Sequence, residues 1–176
     1  MRRSVFAVCL VAVSVFSSSC SGLLEHRAGA NPPRITHSYA VDKGAYGETW
    51  KFYIEAEDPE GDMIKITYAL EQEGVRYEHP VDFVFIKQKY QTSLKGFLSL
   101  ETTFLREPSM GGSPRLALRV SIFDKAGHES NEAVFRFEFA GRSQPVSPLP
   151  APFDQGDIPK LGTILVEGKY PRGPSQ

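Results

Sequence analysis

Two cysteines have the clearest potential for covalent chemistry in this chain of 176 residues. Cys9 lies inside an uncharged apolar segment near the N-terminus, and Cys20 follows that segment. Two arginines near the start supply positive charge, residues 5–16 form an apolar run, and residues 17–19 are three serines, which together are typical of a secretory signal. If the signal is removed, Cys20 has no disulfide partner. We therefore expect its thiol to carry another modification.

The segment resembles the signal of bacterial lipoproteins, in which the cysteine is lipidated and becomes the mature N-terminus. The resemblance implies that residues 1–19 are removed, that Cys20 carries fatty acyl chains such as palmitate, and that residues 20–30 tether a domain to the bilayer. The family usually has Leu three positions before the cysteine, where this chain has Ser17. Ser21 is not the acidic residue that retains such lipoproteins at the inner membrane of double-membrane bacteria. The implied location is the outer membrane, where the source has two membranes, or the cell surface or periplasmic face.

An uncleaved membrane helix is the alternative for this segment. Residues 4–24 contain no charged side chain, and the length of this segment is close to the roughly 20 residues that a spanning helix needs. The serines make the second half of the segment polar, which favours a signal over a span.

Acidic side chains are concentrated in two short turns. Asp58, Glu60 and Asp62 alternate within one turn, and Asp124 begins the other. Carboxylates are hard oxygen ligands, which suit calcium better than a transition metal. The alternative is that aspartates occupy tight turns because they cap their own backbone. A calcium site at these four residues is therefore a hypothesis that requires the two turns to meet.

The other polar residues form no catalytic motif. The four histidines are dispersed, and the sequence has neither a Gly-x-Ser-x-Gly turn nor a phosphate-binding glycine loop before a helix. We expect no enzymatic activity and no cofactor apart from the calcium hypothesis. Without residues 1–19 the chain has 18 basic and 21 acidic side chains, a formal charge of −3. This balance argues against a nucleic-acid partner.

Alternation of apolar and polar residues places these turns on an all-β domain. Four clear strands have the following inward positions: Trp50, Phe52, Ile54 and Ala56; Ile64, Ile66, Tyr68 and Leu70; Leu116, Leu118, Val120 and Ile122; Ala133, Phe135, Phe137 and Phe139. Weaker runs at residues 34–41, 81–89 and 93–105 raise the total to about seven strands. Their apolar faces must pack on one another, which predicts a two-sheet sandwich.

Three short motifs occur within residues 31–141. Asn31 is followed by two prolines, residues 58–62 read Asp-Pro-Glu-Gly-Asp, and residues 124–127 read Asp-Lys-Ala-Gly. These motifs resemble those of bacterial immunoglobulin-like and cadherin-like domains. The resemblance implies an immunoglobulin-like sandwich whose two acidic turns lie at the same end as the start of the first strand. That end would bring together Asn31, Asp58, Glu60, Asp62, Asp124 and His128.

Residues 142–176 form a tail of different composition. Five prolines in residues 143–159 predict an extended, polyproline-like spacer. Residues 161–168 are apolar and β-prone, so they need a neighbouring strand, either on the chain's own sandwich or on a partner. We favour the chain's own sandwich because a free apolar strand promotes aggregation.

These features predict a non-catalytic envelope lipoprotein whose immunoglobulin-like domain binds protein or polysaccharide near a bilayer. The alternative is an extracytoplasmic carbohydrate-active or hydrolase accessory domain. In that case exposed rings such as Tyr46, Tyr53 or Tyr77 would stack on sugars.

Overall fold

The computed structural model describes residues 30–72, 81–104, 115–140 and 148–165. In these ranges the chain forms strands and two short 3-10 turns. The strands are β1 (Arg34–Tyr39), β2 (Lys43–Gly44), β3 (Thr49–Glu57), β4 (Met63–Gln72), β5 (Asp82–Phe85), β6 (Ser93–Glu101), β7 (Arg115–Asp124), β8 (Ala133–Phe139) and β9 (Lys160–Ile164). The 3-10 turns are Gln88–Tyr90 and Thr102–Phe104. The predicted all-β class is confirmed.

The strands form two sheets packed face to face. The first sheet has the order β1-β3-β6-β9, and the second has the order β2-β8-β7-β4-β5. Neighbouring strands are antiparallel except for the pairs β2–β8 and β6–β9, which are parallel. All seven predicted strands are present, and β2 and β9 are additional. This is the predicted immunoglobulin-like sandwich.

The inward faces of β3, β7 and β8 form the centre of the core. Every inward position predicted in these three strands is buried. The Phe52 ring packs edge to face on Phe135, with centroids 5.3 Å apart, and Trp50 lies 4.6 Å from Phe137. Aromatic pairs of this kind add about 0.5–1.5 kcal/mol to the stabilisation from burial. Period-two alternation therefore identified the core correctly where a strand runs without interruption.

β4 departs from the predicted pattern at its start. Three of its four predicted inward residues are buried, but the first, Ile64, is only half-buried. Met63 is fully buried instead, because the pairing of β4 with β7 shifts register between Met63 and Lys65. A bulge of this kind moves one residue to the opposite face. The prediction for Ile64 was therefore wrong.

β2 is a two-residue strand that borders the second sheet. Gly44 pairs with Phe139, and a Cβ at Gly44 would lie 2.7 Å from the Cζ2 atom of Trp50. Only glycine allows this backbone to lie directly on the indole ring. The short length of β2 and the lack of a side chain on Gly44 explain why alternation did not reveal this strand.

β9 adds the tail to the first sheet. Leu98 pairs with Gly162, and the N–H of Phe97 donates to the carbonyl of Pro159 at 3.0 Å. A Cβ at Gly96 would lie 2.7 Å from that same carbonyl oxygen, so the close approach of β9 depends on a glycine. For residues 161–165 of the β-prone segment, the intramolecular alternative is the one that the structure adopts.

The segment before β9 packs on the outer face of the first sheet. Residues 148–159 do not form the extended spacer predicted there: a turn at residues 151–154 directs Phe153 onto the sheet, where it is 2 % exposed. The Phe153 ring lies 5.6 Å from the ring of Tyr53, which lies 5.6 Å from that of Phe97. For the described part of the tail, the spacer prediction was wrong because one buried aromatic ring ties the proline-rich chain to the sheet.

Tyr68 links the end of β9 to the second sheet. Its hydroxyl donates to Oδ2 of Asp82 at 3.0 Å and accepts from the N–H of Leu165 at 3.1 Å. Burial raises the pKa of Tyr68 to about 12, because a phenolate at this site would lose its hydration. The two sheets and the tail are therefore joined through one hydroxyl group.

Candidate binding surfaces

The two acidic turns lie at one end of the sandwich, as the predicted topology requires. The N–H of Lys125, in the turn after β7, donates to the carbonyl of Asp62, in the turn after β3, at 3.1 Å. The side-chain amide of Asn31 donates to the carboxylate of Glu60. The start of the first strand therefore meets the first turn, which in turn meets the second.

The aspartates in these turns stabilise the backbone. Asp58 is buried, and its two carboxylate oxygens accept the N–H groups of Glu60 at 3.1 Å and Asp62 at 3.0 Å. Asp124 is also buried, accepts the N–H of His128 at 2.8 Å and contacts its Nδ1 at 2.8 Å. Within the described ranges, no group of three or more His, Cys, Asp or Glu side chains is placed to hold a metal ion. The geometry favours backbone capping, and calcium at Asp58, Glu60, Asp62 and Asp124 stays a prediction.

The predicted modification site lies outside the described residues. This applies to Cys20, to residues 1–19 and to most of the tether predicted at residues 20–30. In the portion of the chain that the structure describes, no helix is long and apolar enough to cross a membrane. Lipidation, tethering and location remain predictions.

The tyrosines predicted to stack on sugars are differently placed. Tyr53 is 9 % exposed and lies beneath Phe153, so it offers no platform to a ligand. Tyr46 is half-buried, with its ring 5.9 Å from that of Phe139. Tyr77 lies outside the described residues. The idea of Tyr53 as an exposed ring was wrong because the tail covers it.

The outer face of the second sheet carries an open groove of about 540 Å³. Its floor is built from the outward side chains of β4 and β7. The hydroxyl oxygens of Thr67 and Ser121 lie 2.8 Å apart, and the Ser121 hydroxyl donates to Oε1 of Glu129 at 2.7 Å. Alternation places Thr67 and Ser121 on the polar faces of their strands, but their meeting depends on the β4–β7 register.

Charged side chains form one wall of this groove. The guanidinium of Arg119 donates to Glu71 at 2.9 Å and to Glu132 at 2.7 Å. These two hydrogen bonds raise the pKa of Arg119 above its usual value. The wall therefore presents fixed donors and acceptors to a bound molecule.

Phe123 and Lys65 line another part of the groove, and Phe83 lies beside Lys65. The ammonium group of Lys65 lies 4.8 Å from the ring centre of Phe123 and 5.7 Å from that of Phe83. The Phe83 ring packs edge to face on Phe85, with centroids 5.0 Å apart. The sequence predicts Phe83 and Phe85 in a weak strand and assigns them no function. Their spacing of two residues was the signal that both rings share one face.

No protein-family model matches this chain, and no curated protein matches it. Solved structures that resemble it include the PKD domain of an M14-like peptidase from Thermoplasmatales archaeon SCGC AB-540-F20. That likeness has 20 % identity, covers 62 % of this chain and 96 % of that one, and has a TM-score of 0.40. Another is a CARDB domain from Pyrococcus furiosus, solved in complex with di-metal ions, with 8 % identity, coverage of 69 % and 100 %, and a TM-score of 0.33. At these values neither resemblance carries information about function.

Proposed function

We propose that this chain is a non-catalytic, membrane-tethered envelope lipoprotein whose immunoglobulin-like domain binds protein or polysaccharide. One observation carries the proposal for the domain: the outer face of the second sheet is an open groove, whereas the chain's own Phe153 covers the outer face of the first. Folding therefore leaves one sheet surface available to a ligand.

The chemistry of the groove suits an extended polar ligand. Hydroxyl and carboxylate groups at Thr67, Ser121 and Glu129 are joined by hydrogen bonds along the floor, and the Phe123 ring lines the groove beside them. A peptide backbone or a sugar chain presents both hydrogen-bonding groups and apolar surface to such a floor.

The pairing of the carboxylates supports a role in binding. Arg119 holds Glu71 and Glu132, and Glu129 accepts a hydrogen bond from Ser121. Each of these carboxylates therefore already has a partner within the chain. This arrangement fixes the positions of the polar groups that a ligand would meet.

Photo-cross-linking in intact cells tests the groove. A photoreactive residue at Glu132, which is exposed on the groove wall, is expected to form adducts with an envelope protein or polysaccharide. The matched control is Glu57, an equally charged and exposed residue at the end of β3. Equal adducts from the two positions, or none from position 132, would contradict binding at this face.

The tether is tested separately by mass and fractionation. Intact-mass measurement of chain extracted from membranes is expected to show an acyl adduct on a polypeptide that begins at Cys20. The Cys20→Ser variant is expected to lose the adduct. A natural chain that stays in membranes at its full unmodified mass would instead indicate an uncleaved helix.

A further inference from the structure

Exposed apolar side chains gather along one edge of the sandwich. Val81, Phe83 and Phe85 on or beside β5 are 69 %, 46 % and 70 % exposed, and Leu165 after β9 is 65 % exposed. Leu165 joins this group because its N–H and Asp82 bind the same Tyr68 hydroxyl. These four residues are called the apolar edge. Val41, the other large apolar residue exposed in the described ranges, precedes β2 at the opposite side of the second sheet.

Lysines flank the apolar edge. Lys87 and Lys160 are exposed and line the same small cleft as Phe85, and Lys65 lies over the Phe83 ring. Lys89 is also exposed in the 3-10 turn that follows β5. Apolar side chains surrounded by ammonium groups match the chemistry of an anionic bilayer, whose phosphates attract lysine and whose acyl region accepts phenylalanine.

Among the described residues of this edge, the acidic side chain is Asp82, and its position weakens its repulsion of an anionic surface. Asp82 is half-buried: Oδ2 accepts from Tyr68 at 3.0 Å, and Oδ1 accepts from the N–H of Phe83 at 2.8 Å. The second bond also occupies a backbone donor that a partner strand would need, since even-numbered residues such as Ile86 donate towards β4. The edge is therefore poorly suited to a protein that adds a strand to β5.

The apolar edge runs towards the end of the sandwich at which the chain enters. After β5 and its 3-10 turn, the carbonyls of Gln91 and Thr92 accept the N–H groups of Met63 and Asp58. These groups belong to the turn region that also contacts Asn31 through Glu60. The eleven residues from position 20 to position 30 can span at most about 40 Å. A lipid on Cys20 would therefore hold this edge within reach of the bilayer.

We infer that the apolar edge docks on the surface of an anionic bilayer, with Phe83 and Phe85 entering the interface and Lys87 and Lys160 contacting lipid phosphates. The inference rests on the proposed function, because the tether supplies the bilayer. Docking would orient the domain with the β5 edge of the second sheet against the lipid and the β2 edge away from it.

Tryptophan fluorescence tests the orientation directly. The chain has one tryptophan, Trp50, which is buried and serves as a constant background. The full chain carrying Phe85→Trp is mixed with vesicles of phosphatidylglycerol and phosphatidylcholine with brominated acyl chains. We expect the emission of this variant to shift to shorter wavelength and to be quenched. The matched control, Val41→Trp, places the same ring at the opposite side and is expected to show neither change.

Charge reversal tests the lysines. Adding Lys87→Glu and Lys160→Glu to the Phe85→Trp variant is expected to raise the lipid concentration for half-maximal quenching by about tenfold. Vesicles of phosphatidylcholine alone are also expected to raise the lipid concentration for half-maximal quenching of the Phe85→Trp variant. If neither the lysine substitutions nor the removal of anionic lipid changed the quenching, the electrostatic part of the inference would be overturned.

The outcomes separate this inference from the tether. A chain that sediments with vesicles while positions 85 and 41 are quenched equally, or not at all, would overturn edge docking and leave the tether intact. A chain without an acyl adduct would overturn the tether. Edge docking would in that case still require that added vesicles quench the tryptophan at position 85 and not the one at position 41. A photoreactive residue at position 85 that captured one envelope protein in cells, with no lipid adduct, would also overturn docking on lipid.

Discussion

The two outer faces of this sandwich differ in whether the chain's own tail covers them. The outer face of the first sheet is covered by the chain's own tail, with Phe153 packed on Tyr53, whose ring also contacts Phe97. The outer face of the second sheet carries the groove, and its phenylalanines at positions 83 and 85 remain exposed. Both faces have aromatic residues, so composition alone does not decide which face is covered. The position of the tail after β8 decides it.

This comparison separates aromatic residues that stabilise the fold from those available for binding. Removal of a ring from the covered face should cost stability, whereas removal from the open face should change binding alone. The four predictions below test this separation, from the largest expected effect to the smallest.

Phe153→Ala is expected to have the largest effect. The variant loses a fully buried ring, so its free energy of unfolding should fall by about 3 kcal/mol, at the low end for a buried phenylalanine because the site lies on one sheet only. Urea denaturation followed by the fluorescence of Trp50 measures this change. Phe85→Ala, at a 70 % exposed position, is the control and should change stability by less than about 0.5 kcal/mol. Equal losses in the two variants would remove the distinction between the faces.

Gly96→Ala tests how the tail reaches its position. The added methyl group would meet the Pro159 carbonyl oxygen at 2.7 Å and the Leu161 Cγ atom at 2.5 Å, so β9 must move away from β6. Overpacking of this kind costs about 2 kcal/mol. Lys95→Ala, at the preceding residue, is the control and should cost less than about 0.5 kcal/mol. Thermal unfolding that did not distinguish the two variants would indicate that β9 contributes little to the fold.

The inward faces of the long strands were predictable because each alternates without interruption. Phe52 and Leu118 could be assigned to the core from spacing alone, since a strand with one buried face must alternate. Met63 could not be assigned, because a bulge is a property of the pair of strands and not of one sequence. Residues 148–159 were assigned wrongly because prolines predict an extended backbone but do not reveal a distant surface that can bury Phe153.

The face of β5 shows a second limit. On hydrophobicity, Phe83 and Phe85 would point inwards and Asp82 would point outwards. The structure has the reverse, because Asp82 pairs with Tyr68 and accepts a hydrogen bond from its hydroxyl at the margin of the core. The apolar edge could therefore not be predicted, since it depends on this hydrogen bond between neighbouring strands. The groove could not be predicted either, because the meeting of Thr67 and Ser121 depends on the β4–β7 register.

Tyr68→Phe is expected to have a smaller effect than the changes at the covered face. Loss of the hydroxyl leaves Asp82 and the N–H of Leu165 without their shared partner, which costs about 1–2 kcal/mol at neutral pH. Tyr46→Phe is the control, because its hydroxyl bond to Thr103 is exposed and longer, at 3.3 Å. Urea denaturation of both variants gives the comparison.

The pH dependence of the same variant sharpens this prediction. The folded state raises the pKa of Tyr68 to about 12, compared with about 10 in the unfolded chain. The folded state therefore holds the phenol proton more tightly, and this stabilisation is complete below pH 10 and lost as the pH rises through 12. The natural chain should lose its advantage over Tyr68→Phe across that window. A constant difference between them from pH 8 to pH 12 would contradict burial of the hydroxyl.

Arg119→Met is expected to have the smallest effect on stability. Its ion pairs with Glu71 and Glu132 lie on the open face, where water and salt screen them, so the melting temperature should match that of the natural chain. Cross-linking from position 132 should nevertheless be lost, because the photoreactive residue replaces Glu132 and Arg119→Met then removes the partner that holds Glu71 at this wall of the groove. Lys43→Met is the matched control: it breaks an exposed pair with Glu138 on the same sheet, away from the groove, and should alter neither property. If Arg119→Met unfolded the domain as readily as Phe153→Ala does, both faces would be structural and the second sheet would offer no separate surface for binding.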